Sequence, residues 1–144
     1  MELAEKLLAI EEIKTLKSRY FRYIDTKEWD RYQELFATDF AVVDENDKPL
    51  MRGGREFAAN VQAFLGASVT MHTGHSPDIE ILSASTAKGV WGVHDILTWE
   101  KGDPRDGFKK IIGWGYYYET YRKEAGQWRI DTWRLKRTHL VQIK

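Results

Sequence analysis

Two of the four histidines lie three residues apart, at His72 and His75, within a segment near the middle of the chain. Histidine is the side chain whose unperturbed pKa permits proton transfer near neutral pH. The valine, threonine and methionine before His72 predict a short strand, and the glycine, serine and proline that follow predict a break. An imidazole at a strand end is a candidate for acid–base chemistry. The alternative is that both histidines are structural.

The strand from Trp91 to Trp99 places an acidic side chain on an apolar face. Alternate strand residues share a face, so Asp95 lies among two tryptophans, a valine and a leucine. The same alternation puts Arg137 on one face with Trp133 and Leu135. A carboxylate in apolar surroundings is costly unless it is paired. Asp95 and Arg137 therefore form either a structural ion pair or the polar end of a ligand pocket.

The chain is rich in aromatic residues, with six Trp, seven Tyr and six Phe. These side chains combine a large apolar area with polar tips, and they either line a ligand pocket or fill a core. The strand 113–121 supplies an aromatic surface, with two glycines on one of its faces. We predict contacts with the substrate from one histidine and four aromatic residues: His75, Trp91, Trp114, Tyr116 and Tyr118.

The bulk composition excludes several functional classes. A formal net charge of zero gives no electrostatic basis for binding nucleic acid or an anionic membrane surface. No apolar run reaches the length of a membrane span. The absence of cysteine excludes disulfides and predicts an intracellular, cytoplasmic location. No metal-binding or phosphate-loop motif occurs, so we expect neither a metal nor a cofactor.

The order of the predicted elements indicates an α+β domain spanning residues 1–144, with helices first and an antiparallel meander after them. An apolar stripe at three- and four-residue steps predicts the first helix, and it includes Leu7 and Tyr20. Asp25 follows at the helix end, where a turn or capping role is the alternative to a catalytic one. The predicted helices are 4–24, 29–36 and 55–64. The predicted strands are 40–43 and 50–52, paired as a hairpin, then 69–73, 77–82, 86–100, 108–122 and 127–139.

Several segments resemble a known family: 13–25, 71–77, the strand ending in Asp95, the 117–128 hairpin with its Gly-Gln-Trp turn, and Arg137. The chain is similar over nearly its whole length to SnoaL-like members of the NTF2-like superfamily. Within that group it most resembles the bile acid 7α-dehydratases. It also resembles hexachlorocyclohexane dehydrochlorinase and scytalone dehydratase-type folds. The resemblance implies a cone-shaped α+β barrel, with three N-terminal helices packed on a curved, mostly antiparallel sheet.

The same resemblance implies five catalytic residues: Tyr20, Asp25, His72, Asp95 and Arg137. His72 would act as general base, Asp25 would orient it, and Tyr20 would donate a hydrogen bond to a developing enolate. Asp95 and Arg137 would assist departure of a hydroxyl or orient the substrate. The dehydrochlorinase pattern has a lysine where this chain has Tyr20, which favours a dehydratase.

The implied activity is that of a cofactor-independent lyase that abstracts a proton beside a carbonyl. The implied substrate is small, hydrophobic and cyclic, such as a steroid or polyketide. An isomerase or a polyketide cyclase using the same site is one alternative. The other alternative is a non-catalytic module that binds a small ligand or a protein. The resemblance also implies a homodimer or homotrimer, formed through the open face of the sheet.

Overall fold

The computed structural model describes residues 1–144, the whole chain. It has three helices, which are α1 (Leu3–Asp25), α2 (Trp29–Gln33) and α3 (Gly54–Leu65). The six strands are β1 (Phe36–Val43), β2 (Pro49–Arg52), β3 (Val69–Ile81), β4 (Thr86–Thr98), β5 (Lys110–Glu124) and β6 (Gln127–Ile143). The predicted α+β class, with three helices on a mostly antiparallel sheet, is therefore confirmed.

All six strands belong to one sheet, in the order β2-β1-β6-β5-β4-β3. Strands β3 to β6 form the predicted antiparallel meander, and β1 and β2 form the predicted hairpin. The hairpin joins the meander through β1, which runs parallel to β6. The apolar core lies between the helices and one face of the sheet, which we call the inner face. None of the three helices has the combination of length and hydropathy that a membrane span requires.

The segment that carries His72 is one strand, where the sequence predicted two. β3 runs without interruption from Val69 to Ile81, and its pairing with β4 shifts register between His75 and Asp78. Ser76 has a positive φ of 50°, and Pro77 lies in this bulge, where no ladder donor is required. The break is therefore a bulge within the strand. His72 lies inside the strand and not at its end.

The buried side of α1 differs from the predicted apolar stripe in two ways: one apolar residue of the stripe is exposed, and one charged residue is buried. Leu7 is 55% exposed because the first turns of α1 extend past the core, whereas Lys17 is completely buried. The Lys17 ammonium lies 2.7 Å from Glu119 Oε2 and 3.7 Å from the ring centroids of Tyr20 and Tyr117. Burial lowers the pKa of Lys17 to about 8, although Glu119 opposes this shift. A charged residue therefore occupies the core side of the helix because a distant carboxylate pairs with it.

The second predicted helix is shorter in the structure, since α2 ends at Gln33 and β1 begins at Phe36. Phe36 packs against Phe40 and Phe57, with ring centroids 4.6 and 5.3 Å away. Phe36, which the helical pattern assigned to the second helix, is therefore the first residue of β1 and packs this strand against α3.

Candidate active site

Asp25, the last residue of α1, and His72, in the first half of β3, form a close acid–imidazole pair. His72 Nδ1 lies 2.7 Å from Asp25 Oδ1, and the backbone N–H of His72 donates to Asp25 Oδ2 at 3.0 Å. Thr70 Oγ1 donates to Asp25 Oδ1 at 2.7 Å. Three hydrogen bonds therefore tie the helix end to the strand and hold the imidazole in one orientation.

These contacts keep Asp25 ionised. Partial burial acts to raise the pKa of Asp25, but the hydrogen bonds from His72 and Thr70 outweigh it and hold the pKa below its usual value. A carboxylate accepts from Nδ1–H, so the neutral imidazole carries its lone pair on Nε2. Nε2 lies 3.8 Å from Asp95 Oδ2.

Phe21 supports the imidazole from the side of α1. Its ring lies parallel to that of His72, with centroids 6.0 Å apart and an interplanar angle of 20°. Gly74 makes this possible, because a Cβ at that position would overlap the Phe21 ring. The glycine two residues after His72 therefore allows α1 to pack closely against β3.

Asp95 and Arg137 form a two-bond ion pair across the sheet. Arg137 donates to Asp95 Oδ1 at 2.9 Å and to Oδ2 at 2.8 Å. The Asp95 side chain is 2% exposed and that of Arg137 is 28% exposed, so the pair reaches from the interior toward the surface. A Cβ at Gly113, on the strand between them, would collide with both side chains. The space left by Gly113 is therefore filled by the ion pair.

Tyr20 lies on α1 with its hydroxyl inside the protein, where it accepts a hydrogen bond from Trp133 Nε1 at 3.1 Å. Burial raises the pKa of Tyr20 well above its usual value, because a phenolate would be poorly solvated there. The same cause raises the pKa of Tyr117, whose ring centroid lies 5.8 Å from that of Tyr20. Both residues are therefore neutral phenols that can donate a hydrogen bond.

A cavity of about 340 Å³ brings these groups together. Four of the five predicted catalytic residues line it: Tyr20, His72, Asp95 and Arg137. Asp25 lies behind His72 and does not line the cavity. Twelve of the seventeen lining residues are hydrophobic, which suits an apolar ligand. The other apolar and aromatic lining residues are Ile24, Val42, Met51, Phe57, Val61, Phe64, Leu65, Leu97, Tyr117, Trp133 and Leu135.

The structure brings none of the five predicted substrate contacts into the cavity. Trp114, Tyr116 and Tyr118 point to the outer face of the sheet, opposite the helices, and His75 is exposed on the same side. Trp91 points inward, but it is buried away from the cavity and donates to the Tyr121 hydroxyl at 3.1 Å. Strand alternation explains the outcome, because Gly113 occupies the inner face beside Asp95 and its neighbour Trp114 must then face outward.

Some cavity residues were missed at the sequence level. Alternation along β5 puts Tyr117 on one face with Gly113, but only the pairing of Gly113 with Asp95 shows that this face is the inner one. Arg105 comes from the loop between β4 and β5, where no periodicity exists to place it. The structure has no group of three or more histidine, aspartate or glutamate side chains arranged to hold a metal ion.

Three helices on a mixed, mostly antiparallel sheet, enclosing an acid–imidazole pair, define an α+β cone with an internal site. The chain belongs to the SnoaL-like domain family, which matches residues 5–134. Its fold is the NTF2-like α+β cone that the sequence resemblance implied.

The chain is similar in fold to two solved structures and in sequence to one further protein, each at low sequence identity. A candidate scytalone dehydratase from Novosphingobium aromaticivorans is 20% identical, with a TM-score of 0.81 over 99% of this chain and 93% of that one. The hexachlorocyclohexane dehydrochlorinase LinA type 2 is 16% identical, with a TM-score of 0.79 over 99% and 94%. A candidate cyclase of Gibberella zeae, FGR4, is 23% identical over 88% of this chain and 89% of its own length.

Proposed function

We propose that the protein is a cofactor-independent lyase that begins its reaction by removing a proton beside a carbonyl group. One observation carries this proposal: His72 lines the cavity while its Nδ1 is hydrogen-bonded to Asp25 at 2.7 Å. The bond from Nδ1 leaves Nε2 as the basic atom on the cavity side. A base held in this way matches the geometry required for general base catalysis.

In the proposed reaction Nε2 takes the proton, and the imidazolium forms between two carboxylates, Asp25 and Asp95. The neutral Tyr20 hydroxyl donates a hydrogen bond to the enolate oxygen as its charge develops. The carbon–oxygen bond of the substrate then breaks and a carbon–carbon double bond forms. His72 transfers the proton it took to the departing hydroxyl, which leaves as water. Arg137, anchored by Asp95, orients the leaving oxygen.

The similar proteins support this class of chemistry, since their names describe a dehydratase, a dehydrochlorinase and a cyclase. An isomerase or a cyclase would use the same first step, so these two activities are the catalytic alternatives to a lyase. A hydrophobic cyclic molecule, such as a steroid or polyketide, is the substrate class that the apolar cavity favours. The closer resemblance to bile acid 7α-dehydratases stays a prediction, because none of the relatives named above carries that activity in its name.

The experiment is a screen of steroids, acyl thioesters and aromatic polyketides by thermal shift, followed by product analysis. Wild type is compared with His72→Ala and with His75→Ala, which removes an exposed imidazole from the opposite face of the same strand. We expect His72→Ala to lose about 10²–10⁴-fold in rate and His75→Ala to match wild type. Turnover by His72→Ala at the wild-type rate would refute the assignment. Ligand binding without turnover by wild type would favour a binding module.

We also propose that the protein assembles as a homodimer or homotrimer through the outer face of the sheet. The helices leave this face uncovered, and it exposes Val69, Met71, Trp114 and Tyr116 by 77%, 61%, 36% and 42%. An exposed apolar and aromatic surface of this kind is typical of a protein interface. The predicted cytoplasmic location stays a prediction.

A further inference from the structure

The cavity contains one charged side chain without a partner of opposite charge. Asp95 and Arg137 neutralise each other through two hydrogen bonds, and His72 is paired with Asp25. Tyr20 and Tyr117 are neutral because burial raises the pKa of each. Arg105 also lines the cavity, but its guanidinium forms no ion pair with any carboxylate of the chain. Among the side chains that line the cavity, Arg105 is therefore the one charged group without a lining group of opposite charge.

Arg105 is fixed in place by its own loop. The Asp103 carboxylate accepts hydrogen bonds from the backbone N–H groups of Arg105, Asp106 and Phe108, at 2.9, 2.8 and 2.7 Å. These bonds hold the pKa of Asp103 below its usual value, so they persist at neutral pH. The loop is thus pinned around a single carboxylate, and the backbone of Arg105 has a defined position.

The Arg105 side chain is also oriented. Its guanidinium carbon lies 4.3 Å from the ring centroid of Phe64, which itself lines the cavity. Stacking on an aromatic ring occupies one face of a guanidinium and leaves the N–H groups in its plane free for a planar oxyanion. The Arg105 guanidinium is therefore oriented to donate hydrogen bonds, but no acceptor of the chain occupies its N–H groups.

The exposure of the lining residues shows where this donor lies. Asp95, whose Oδ2 lies 3.8 Å from His72 Nε2, is 2% exposed, whereas Arg105 and Asn60 are exposed to solvent. The proposed base His72, whose side chain is 4% exposed, thus lies at the buried end of the cavity and Arg105 lies at its open end. A ligand that fills the cavity would meet both.

We infer that the open end of the cavity is an oxyanion subsite, in which Arg105 binds a carboxylate or similar group at the end of the substrate remote from His72. This inference rests on the proposed function in so far as the cavity is the substrate site. The substrate is then an amphipathic acid with a hydrophobic cyclic body, and not a wholly neutral molecule. Because the guanidinium is exposed, we expect it to determine which ligands are preferred without dominating affinity.

The test uses two fluorescent probes that differ by one sulfonate: 8-anilinonaphthalene-1-sulfonate and the neutral N-phenyl-1-naphthylamine. Their Kd values are measured for wild type, Arg105→Met and Lys101→Met at low and high salt. Methionine keeps an unbranched side chain beside Phe64 and removes the charge. Lys101→Met removes an exposed charge from the same loop, outside the cavity lining.

We expect wild type to bind the anionic probe about fivefold more tightly than the neutral one, and Arg105→Met to bind both about equally. Lys101→Met should keep the wild-type ratio, and 1-naphthaleneacetate should displace the anionic probe better than its amide does. An unchanged ratio in Arg105→Met would overturn the inference. An equally large loss of preference for the anionic probe in Lys101→Met would also overturn the inference, because the preference would then come from the summed positive charge of the loop and not from Arg105.

The same measurement on His72→Ala separates this inference from the proposed function. Because His72 lies at the other end of the cavity, we expect the variant to keep the wild-type preference for the anionic probe. A preference that depends on Arg105, together with no turnover of any compound, would refute the lyase and leave the subsite standing. Turnover that depends on His72, together with no preference for the anionic probe, would support the lyase and refute the subsite.

Discussion

Replacing Asp25 by asparagine tests whether one carboxylate organises the junction between α1 and β3. The carboxylate accepts hydrogen bonds from Thr70 Oγ1, from the backbone N–H of His72 and from the imidazole Nδ1. Asparagine has one acceptor oxygen, and its NH₂ group would face at least one of these donors. The substitution is nearly isosteric, so its effect reports on charge and hydrogen bonding and not on packing.

The loss of one hydrogen bond to a charged group is worth about 1.5–3 kcal/mol. Asp25 has a side chain 24% exposed, so we place the loss in unfolding free energy at the lower part of this range, about 2 kcal/mol. For a chain of this size 1 kcal/mol shifts Tm by roughly 2–4 °C, so Asp25→Asn should melt about 4–8 °C below wild type.

The loss of stability in Asp25→Asn should depend on pH, and the direction of that dependence follows from the lowered pKa of Asp25. A carboxyl whose pKa is lower in the folded state adds stability above its unfolded pKa, which is about 3.9. That contribution is lost as pH falls through the folded pKa. Urea denaturation at pH 7 and at pH 3 should therefore show a difference between wild type and variant that is full at pH 7 and smaller at pH 3.

Asp78→Asn is the matched control, because Asp78 is exposed on the same strand and makes no side-chain hydrogen bond. It should melt within about 1 °C of wild type, as surface substitutions usually do. Equal Tm values for Asp25→Asn and wild type would refute the organising role of the carboxylate. A deficit of the same size at both pH values would show that the lost interaction does not depend on charge.

Three further variants probe other contacts. Gly74→Ala forces a methyl group into the Phe21 ring, and overpacking of about 1–3 kcal/mol should lower Tm in a thermal shift assay by roughly 2–12 °C; an unchanged Tm would contradict the close packing. Lys17→Met leaves Glu119 buried with the Tyr121 hydroxyl as a donor but without a partner of opposite charge, and should cost about 3–5 kcal/mol in urea unfolding; combining it with Glu119→Gln should recover much of the loss. Trp114→Glu should shift wild-type oligomers toward monomer in sedimentation velocity with little change in Tm; unaltered oligomers would exclude the outer face as the interface.

Strand alternation predicted from the sequence that Asp95 and Arg137 face the same interior, and the structure joins them by bonds of 2.9 and 2.8 Å. The period of a strand is two, so an acid among large apolar residues must point inward whatever the partner strand is. The order of the helices and strands followed from local pattern in the same way. Local periodicity does not depend on distant residues, which is why these features could be read without a structure.

The direction of the aromatic side chains on β5 was not determined by local pattern. Tyrosines occupy both faces of that strand, so only its pairing shows that Tyr117 faces the cavity and Trp114 faces outward. The break predicted after His72 failed for a related reason. Proline and glycine ended the local pattern, but β4 continued the ladder on either side of a bulge.

The sequence by itself therefore determined the α+β class, the order of its elements and the inward direction of Asp95 and Arg137. Only the tertiary structure brought Asp25 to His72, across 47 residues, and paired Lys17 with Glu119, across 102. Only the tertiary structure also placed Arg105 at the open end of the cavity. For the two pairs the physical reason is the same: a charge in or beside a core is stabilised by partners that the fold brings from elsewhere in the chain, and local periodicity carries no information about them. Arg105 lies in a loop between two strands, where no periodicity exists to place it.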